Sequence, residues 1–296
     1  MRGYSGRIGG MVLYERNGKQ YVRQLPERHG PLNRSYARMV RWCAWGNTIN
    51  LWKAIPAEAR GLFESLTPGR TAYNEFVASA QTAQRVYLTK WLTASCACVV
   101  TEVPVSRGSL VDIRVTPMAD RCVTDIALGG LVATSSTTVA EFSKAVICHN
   151  AGYADGDTLL FLLACQLVEY DTGRPYVAMR CDRLVLSLVD FTPLAYRVSG
   201  SIGFDCWQDR LCSSQRPLGG MAWVHIRKGC RGRMMVSTQR LVANNADLLE
   251  RYGSQEAFLA SADSYGGITA PGTLTPDPTD ADLSRLNNTP AATNND

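Results

Sequence analysis

The run TLLFLLACQLV, Thr158–Val168, is the longest apolar stretch in a chain of 296 residues. It has about half of the ~20 residues that a membrane-spanning helix needs, and it contains Gln166. We therefore predict no transmembrane segment and no membrane insertion. Its length, and the Gly and Asp residues that precede it, are typical of a β-strand.

Seven further β-rich runs lie on either side of this strand, separated by Gly, Pro, Asp and Thr turns. They begin at Cys96, Asp112, Cys122, Tyr176, Tyr196, Met221 and Arg233. This spacing predicts an antiparallel sandwich or barrel. Two helices accompany the runs: SSTTVAEFSKAVICHN, which has one apolar helical face, and GSQEAFLASADSYGG, which has Ser254 as a candidate cap.

Helical spacing dominates the segment that comes before the first β-rich run. Across residues 36–52 the apolar residues recur every 3.6 positions, which fits two helices or one helix interrupted at Gly46. A second helical piece is expected in PAEARGLFESL, with proline at its first position, and a third in TAYNEFVASAQTAQ. We expect a core of aromatic residues here, and the alternative is that they stack on bases. The aromatic residues are Trp42, Trp45, Trp52, Phe63, Tyr73 and Phe76.

A β-hairpin is predicted near the start of the chain, in GRIGGMVLYERNGKQYVRQLP, residues 6–26. Asn17 and Gly18 form the dipeptide typical of a two-residue type I′ turn, because both central positions need positive φ. Met11–Arg16 and residues 19–25 are then antiparallel strands. Since an isolated hairpin is marginally stable in water, we expect it to pack on another surface. The predicted interaction residues are Val12, Tyr14, Arg16, Asn17, Gly18, Lys19, Tyr21 and Arg23.

The positive charge of the chain is concentrated near its N-terminus. Residues 1–90 hold 14 Lys and Arg against 5 Asp and Glu, a net charge of +9, whereas residues 91–296 have a net charge of −4. Most of the cations are arginines, whose planar donor group suits phosphates, carboxylates and aromatic faces. The segment therefore indicates either an interface or a solvated basic surface. The further candidates for phosphate contacts are Arg7, Arg28, Arg34, Arg38 and Arg41.

No motif of enzyme chemistry is found, so we predict no catalytic residue, no metal site and no cofactor. The ten cysteines include no C-x-x-C pair, which favours reduced, structural thiols. Cys148 and His149 are adjacent, but a thiolate–imidazole pair needs convergence in space, so a buried cysteine beside a helix-end histidine is expected. Asp155 and Asp157 lack the rest of a calcium loop and are expected to form a turn.

Taken together, these patterns predict an α+β fold. It consists of an N-terminal β-hairpin and short helices, followed by an antiparallel β-sandwich with one or two inserted helices. We expect residues 1–95 to form the basic hairpin and helical segment, 96–267 the sandwich, and 268–296 a flexible acidic tail rich in Thr, Pro and Asn. The N-terminus shows no apolar segment after its first charge, so no secretion signal is expected, and the predicted location is the cytoplasm or a virion.

Seven short motifs, in order along residues 4–267, carry a resemblance to a known family. They are YSGRIGGMVLYERNGKQYVRQLP, TAYNEFV, VYLTK, ACVVTEVPVSRGSL, ADGDTLLFLLACQL, VSTQRL and SQEAFLASADSYGG. In these motifs the chain resembles bacterial proteins grouped as Domain of Unknown Function 6266, and the hairpin alone resembles small proteins of tailed phages. The resemblance implies a hairpin and helices followed by a β-sandwich, with no catalytic residues to carry over. The phage likeness implies a virion or another assembled particle.

Two functional hypotheses follow from these observations. In the first, the chain is a non-enzymatic structural or interaction protein, an oligomer or a particle component, whose hairpin adds an edge to a protein neighbour. In the second, the basic N-terminal segment binds nucleic acid, with affinity that falls steeply as salt rises. The sequence leaves open whether loops of the sandwich bind a ligand.

Overall fold

The computed structural model describes residues 5–16, 19–25, 36–80, 87–94, 102–168, 175–198, 202–214, 219–229, 232–243, 252–264 and 275–276. Its two compact units are residues 1–39 and 40–296. The predicted boundary after residue 95 falls inside the second unit. Most of the predicted tail after residue 267 lies outside the described residues, apart from the short strand at 275–276.

The elements are numbered in chain order. The helices are α1 Tyr36–Ala54, α2 Ala72–Ala80, α3 Lys90–Ala94, α4 Val139–His149, α5 Leu194–Arg197 and α6 Gln255–Ser264. The strands are β1 Gly6–Ile8, β2 Met11–Arg16, β3 Lys19–Gln24, β4 Leu62–Phe63, β5 Pro104–Arg107, β6 Val115–Pro117, β7 Cys122–Ala127, β8 Thr158–Val168, β9 Pro175–Val185, β10 Asp205–Trp207, β11 Arg210–Cys212, β12 Gly220–Lys228, β13 Met234–Val236, β14 Gln239–Arg240, β15 Val242–Ala243 and β16 Thr275–Pro276.

The first unit contains an antiparallel sheet in the order β1-β2-β3. The pairing of β2 with β3 confirms the predicted hairpin, and Arg16 pairs with Lys19 across a two-residue connection that lies outside the described residues. Strand β1 was not predicted. It folds back on β2 because Gly9 adopts a φ of +55°, a left-handed conformation that glycine accepts without strain.

In the second unit the predicted strand Thr158–Val168 is β8, in a sheet of order β13-β12-β8-β9-β16 in which β15 also pairs with β12. Its apolar residues alternate between two cores, with Leu159, Phe161 and Leu163 on one face of the sheet. Leu160 and Leu162 lie on the other face. Because both faces are covered, the strand shows a continuous apolar run rather than alternation of apolar and polar residues.

The first core lies between this central sheet, helix α4 and a second antiparallel sheet of order β10-β11-β7-β6. Trp223 is fully buried there, and its indole Nε1 donates a hydrogen bond of 2.7 Å to the backbone oxygen of Gly203. A Cβ atom at Gly203 would lie 2.1 Å from the ring of Phe161. Glycine is therefore required where this loop crosses the aromatic ring.

The second core lies on the opposite face of the central sheet, against α1, α2 and the small sheet β14-β5-β4. Leu51 of α1 and Phe76 of α2 are almost fully buried beside Leu160 and Leu162 of β8. The body is therefore an α+β arrangement in which antiparallel sheets and helices form layers around one central sheet. This confirms the predicted fold class.

Helix α4 begins where the sequence predicts an inserted helix, and its start is stabilised by a capping box. The hydroxyl of Thr138 accepts a hydrogen bond from the backbone N–H of Glu141, whose carboxylate in turn accepts one from the backbone N–H of Thr138 at 2.8 Å. Helix α6 also matches its prediction, and the Ser254 hydroxyl accepts a hydrogen bond from the backbone N–H of Ala257. Within the described residues, no helix is long and apolar enough to cross a membrane.

Several local predictions were wrong in detail. Helix α1 continues through Gly46 without interruption. The segment PAEARGLFESL forms turns and strand β4 instead of a helix, because Gly61 takes a φ of +83° and β4 then pairs with β5. The run that starts at Tyr196 begins inside α5 rather than in a strand.

The predicted aromatic core is only partly present. Phe76 is buried, Trp52, Phe63 and Tyr73 are partly buried against the second core, and Trp45 is 45% exposed. The side chain of Trp42 lies outside the described residues.

Candidate docking surface

The three-stranded N-terminal sheet has two faces of different chemistry. Cross-strand partners share a face, and the register pairs Val12 with both Arg7 and Arg23, Tyr14 with Tyr21, and Arg16 with Lys19. These seven residues form what we call the cationic face, on which four residues are basic and none is acidic. The apolar face consists of Ile8, Met11, Leu13 and Val22, together with Gly6, Glu15, Gln20 and Gln24.

On the cationic face, the two tyrosines form a stacked cross-strand pair. Their ring centroids are 5.5 Å apart and the ring planes differ by 18°. The guanidinium carbon of Arg23 lies 5.9 Å from the centre of the Tyr14 ring, at the outer limit of a cation–π contact. Arg7 and Lys19 are exposed, and the Arg7 Nε donates to the backbone oxygen of Gly9. The pair thus stands among cations that reach into solvent.

The apolar face is open to solvent in spite of its composition. Ile8 is 66% exposed, Met11 50% and Val22 59%, whereas Leu13 is half-buried. Glu15 is the single charged residue of this face. Strands β1 and β3 are the edges of the sheet among the described residues. Exposed apolar side chains beside an open strand edge are typical of a surface that binds another protein.

The structure brings together six of the predicted interaction and phosphate-contact residues on the cationic face. These are Arg7, Val12, Tyr14, Lys19, Tyr21 and Arg23, and the register places Arg16 beside Lys19. Asn17, Gly18, Arg28 and Arg34 lie outside the described residues, as do the side chains of Arg16 and Arg38. Arg41 is exposed on α1 in the second unit. The position of Arg7 on the cationic face was missed in the sequence, because it depends on β1.

A buried polar network at the end of the first core was also missed. Asp157 and His225 are 3% and 2% exposed, and the His225 Nε2 lies 2.8 Å from the Asp157 Oδ2. The Arg227 Nε donates to the Asp157 Oδ1 at 2.8 Å, and the ring of Tyr153 stacks on His225 at 4.4 Å. Asp157 and His225 are 68 residues apart, so no local sequence pattern links them.

The electrostatics of this network favour one charge state. Burial by itself raises the pKa of Asp157, but hydrogen bonds from Arg227 and His225 outweigh it and hold the pKa below its usual value. Burial lowers the pKa of His225, which the hydrogen bond to Asp157 only partly opposes. These shifts favour an ionised Asp157 beside Arg227 and the neutral form of His225. Because its central groups are buried, the network stabilises the end of the core and offers no reactive atom to solvent.

Hydrogen bonding and burial indicate structural roles for Asp155, Cys122 and Cys212. The Asp155 Oδ1 accepts a hydrogen bond from the backbone N–H of Leu188, and Gly156 adopts a φ of +85°, as expected for a turn. Burial raises the pKa of the thiols of Cys122 and Cys212 to about 12, which keeps them protonated. Across the described ranges, no group of three or more His, Cys, Asp and Glu side chains is arranged to hold a metal ion.

Cys148 differs from its prediction. It is exposed rather than buried, because it lies on the outer side of the last turn of α4. The neighbouring His149 is engaged by its own helix, since its Nδ1 lies 2.9 Å from the backbone oxygen of Ala145. A Cβ atom at Gly129 would overlap the same ring.

Comparison with known proteins finds no matching family model, no matching curated protein and no matching solved structure. The resemblance to Domain of Unknown Function 6266 therefore stays an expectation from the sequence, and the functional argument depends on the geometry of the chain itself.

Proposed function

We propose that this chain is a non-enzymatic structural or interaction protein that assembles through its N-terminal sheet, with copies of itself or with components of a larger particle. The observation that carries the proposal is the apolar face of that sheet, where Ile8, Met11 and Val22 are each at least half exposed. Burying such side chains contributes about 1.5–3 kcal/mol each when burial is complete. A protein partner that covers the face recovers this free energy.

The second unit has two apolar cores of its own, which stabilise it. A sheet of three short strands gains stability from packing against another surface. A second copy is a suitable occupant because the apolar face carries one charge, Glu15, and therefore meets little electrostatic repulsion when it pairs with itself. The likeness of the hairpin to small tailed-phage proteins supports a virion or another assembled particle as the alternative to self-assembly.

The test is the mass of the untagged full-length chain, measured by light scattering after size exclusion over a hundredfold range of concentration. We expect a defined oligomer. The double substitution Ile8→Thr with Val22→Thr keeps β-branched side chains but removes apolar surface, and is expected to raise the dissociation constant about 10- to 50-fold. The matched control is Val132→Thr, at a residue of the second unit that is 73% exposed.

Three outcomes of this experiment decide the proposal. The control variant should assemble as the wild type does. A single-chain mass at every concentration would contradict self-assembly. An unchanged dissociation constant for the double variant would remove the apolar face from the interface.

A further inference from the structure

We infer that the cationic face of the N-terminal sheet binds single-stranded nucleic acid, independently of the assembly that we propose for the opposite face. The basis is the arrangement that β1, β2 and β3 create together: by strand register, four basic residues share one face of the sheet with two stacked, exposed tyrosines. The argument has three parts, which concern charge, aromatic surface and the form of the ligand.

The charges select an anionic partner. Arg7, Arg16, Lys19 and Arg23 share the face, while Glu15 projects from the other side. Within the described residues, Arg7, Lys19 and Arg23 form no ion pair with an acidic side chain. Two copies of this face would repel each other, which excludes it as a surface for self-association. An anion that covers it gains from every cation.

The aromatic pair lies between two rows of cations. Arg7 and Arg23 flank it on one side along the strands, and Lys19 with its partner Arg16 flanks it on the other. Arg23 lies four positions after Lys19 on β3, so the rows are about 13 Å apart at a rise of about 3.3 Å per residue. Tyr14 and Tyr21 are 38% and 42% exposed. A nucleic-acid strand that runs along the direction of the β-strands meets cations, then aromatic rings, then cations again.

This alternation suits the two chemical parts of a nucleotide. Cations track the phosphates, and tyrosine rings stack on unpaired bases with little dependence on sequence. A duplex keeps its base faces stacked inside the helix, so it engages the cations but not the rings. An acidic peptide likewise engages only the cations. The exposed tyrosines therefore favour the single strand over both alternatives.

The first measurement is the fluorescence anisotropy of dye-labelled 12-nucleotide oligodeoxythymidine and oligouridine, titrated with the full-length chain. Neutralising four phosphates predicts a salt slope of about −2.8, which corresponds to a loss of about 50-fold in affinity between 50 and 200 mM salt. A 12-base-pair duplex should bind more weakly than either oligonucleotide at the same salt. The absence of binding at 50 mM salt, or a preference for the duplex, would overturn the inference.

Substitutions then separate stacking from charge. Tyr21→Leu should weaken binding about 5- to 100-fold while the salt slope stays the same, because it removes a stacking ring and no charge. Arg23→Gln should reduce the magnitude of the slope by about 0.7. Arg240→Gln is the matched control, since Arg240 is an exposed arginine on β14 of the second unit. It should leave both affinity and slope unchanged.

Two further results would contradict the inference. If Arg240→Gln weakens binding as much as Arg23→Gln does, the attraction belongs to the net charge of the chain. If Tyr21→Leu has no effect and poly-glutamate of equal charge competes as well as oligodeoxythymidine, the face is a site for acidic peptides. Far-UV circular dichroism and the oligomer mass of each variant establish that the sheet is retained. Val22→Thr, on the apolar face, should keep full oligonucleotide affinity, which distinguishes failure of this inference from failure of the assembly proposal.

Discussion

The N-terminal sheet and the body of the protein use charge in opposite ways. The body is the second unit, residues 40–296, and its buried carboxylates Asp157 and Glu75 have cationic partners. Asp157 accepts a hydrogen bond from Arg227, and the Glu75 Oε1 lies 2.8 Å from the Arg107 Nη1. On the N-terminal sheet, Arg7 and Lys19 are exposed on a face without acidic residues. Buried charges without partners are costly, whereas exposed cations remain available to a ligand. Pairing in the body thus contributes to stability, whereas the exposed cations of the N-terminal sheet remain available to the ligand that we infer.

The apolar residues show the same contrast. Alternate residues of β8 enter two separate cores, so that Leu160 and Phe161 are both buried although they point to opposite faces. In the N-terminal sheet, by contrast, Val22 is 59% exposed on β3, whose other residues are mostly polar. Burial within one chain stabilises that chain, whereas an exposed apolar face is stabilised only when a partner covers it. The first comparison to test is therefore between Phe161 and Val22.

The largest expected effect comes from emptying the first core. Phe161→Ala should lower the free energy of unfolding by about 3–5 kcal/mol, because it removes a fully buried ring and leaves a cavity. Val22→Ala on the apolar face should change it by less than about 0.5 kcal/mol, as is usual for surface positions. Urea denaturation followed by tryptophan fluorescence measures both. Similar losses for the two variants would show that the N-terminal sheet is stabilised within its own chain.

The next largest effect is expected at the buried network. Asp157→Asn leaves Arg227 without its carboxylate and should cost about 2–4 kcal/mol, less than a fully buried pair because the Arg227 side chain is 30% exposed. Asp155→Asn is the matched control, two residues away, and should cost less than about 1 kcal/mol because its carboxylate is exposed. Thermal unfolding at pH 7 gives both values. Equal losses for the two variants would show that the Asp157–Arg227 ion pair contributes no more stability than the hydrogen bond of Asp155 in the turn.

A smaller effect should appear as pH dependence. The folded pKa of His225 lies below its usual value, so folding favours the neutral ring. The contribution is complete above about pH 6.5, the unfolded pKa, and is lost as the pH falls through the folded pKa. His225→Gln should therefore flatten the curve of unfolding free energy below pH 6.5. A wild-type curve that rises as the pH falls through this range would contradict the assignment.

The smallest expected effect is on the cationic face. Tyr14→Leu removes one ring of the cross-strand pair and should cost only about 0.2–1 kcal/mol of stability. The free energy of oligonucleotide binding should change more than the free energy of unfolding, because the exposed ring contacts the ligand more than it contacts the rest of the sheet. Denaturation and anisotropy on the same sample compare the two. A loss of stability above about 2 kcal/mol would assign the tyrosine pair to the core of its own sheet.

Part of the fold could be predicted because its signals are local. The apolar run at Thr158–Val168 is a strand, β2 and β3 form the predicted hairpin, and α4 begins at the capping residue Thr138. Each of these depends on residues within a few positions of one another. The basic and tyrosine residues of the hairpin were likewise identified from the sequence, because they lie on the strands that flank the turn dipeptide Asn17-Gly18.

Only the tertiary structure decided how these elements share surfaces. Nothing in the run of β8 shows that its residues divide between two cores, because a strand covered on both sides has no alternation to detect. No local pattern predicts the contact between Asp157 and His225, which are 68 residues apart. None predicts the pairing of β1 with β2, which puts Arg7 on the face of Arg23. Propensity acts over a few residues, whereas burial, ion pairing and the two faces of a sheet depend on segments that meet only after folding.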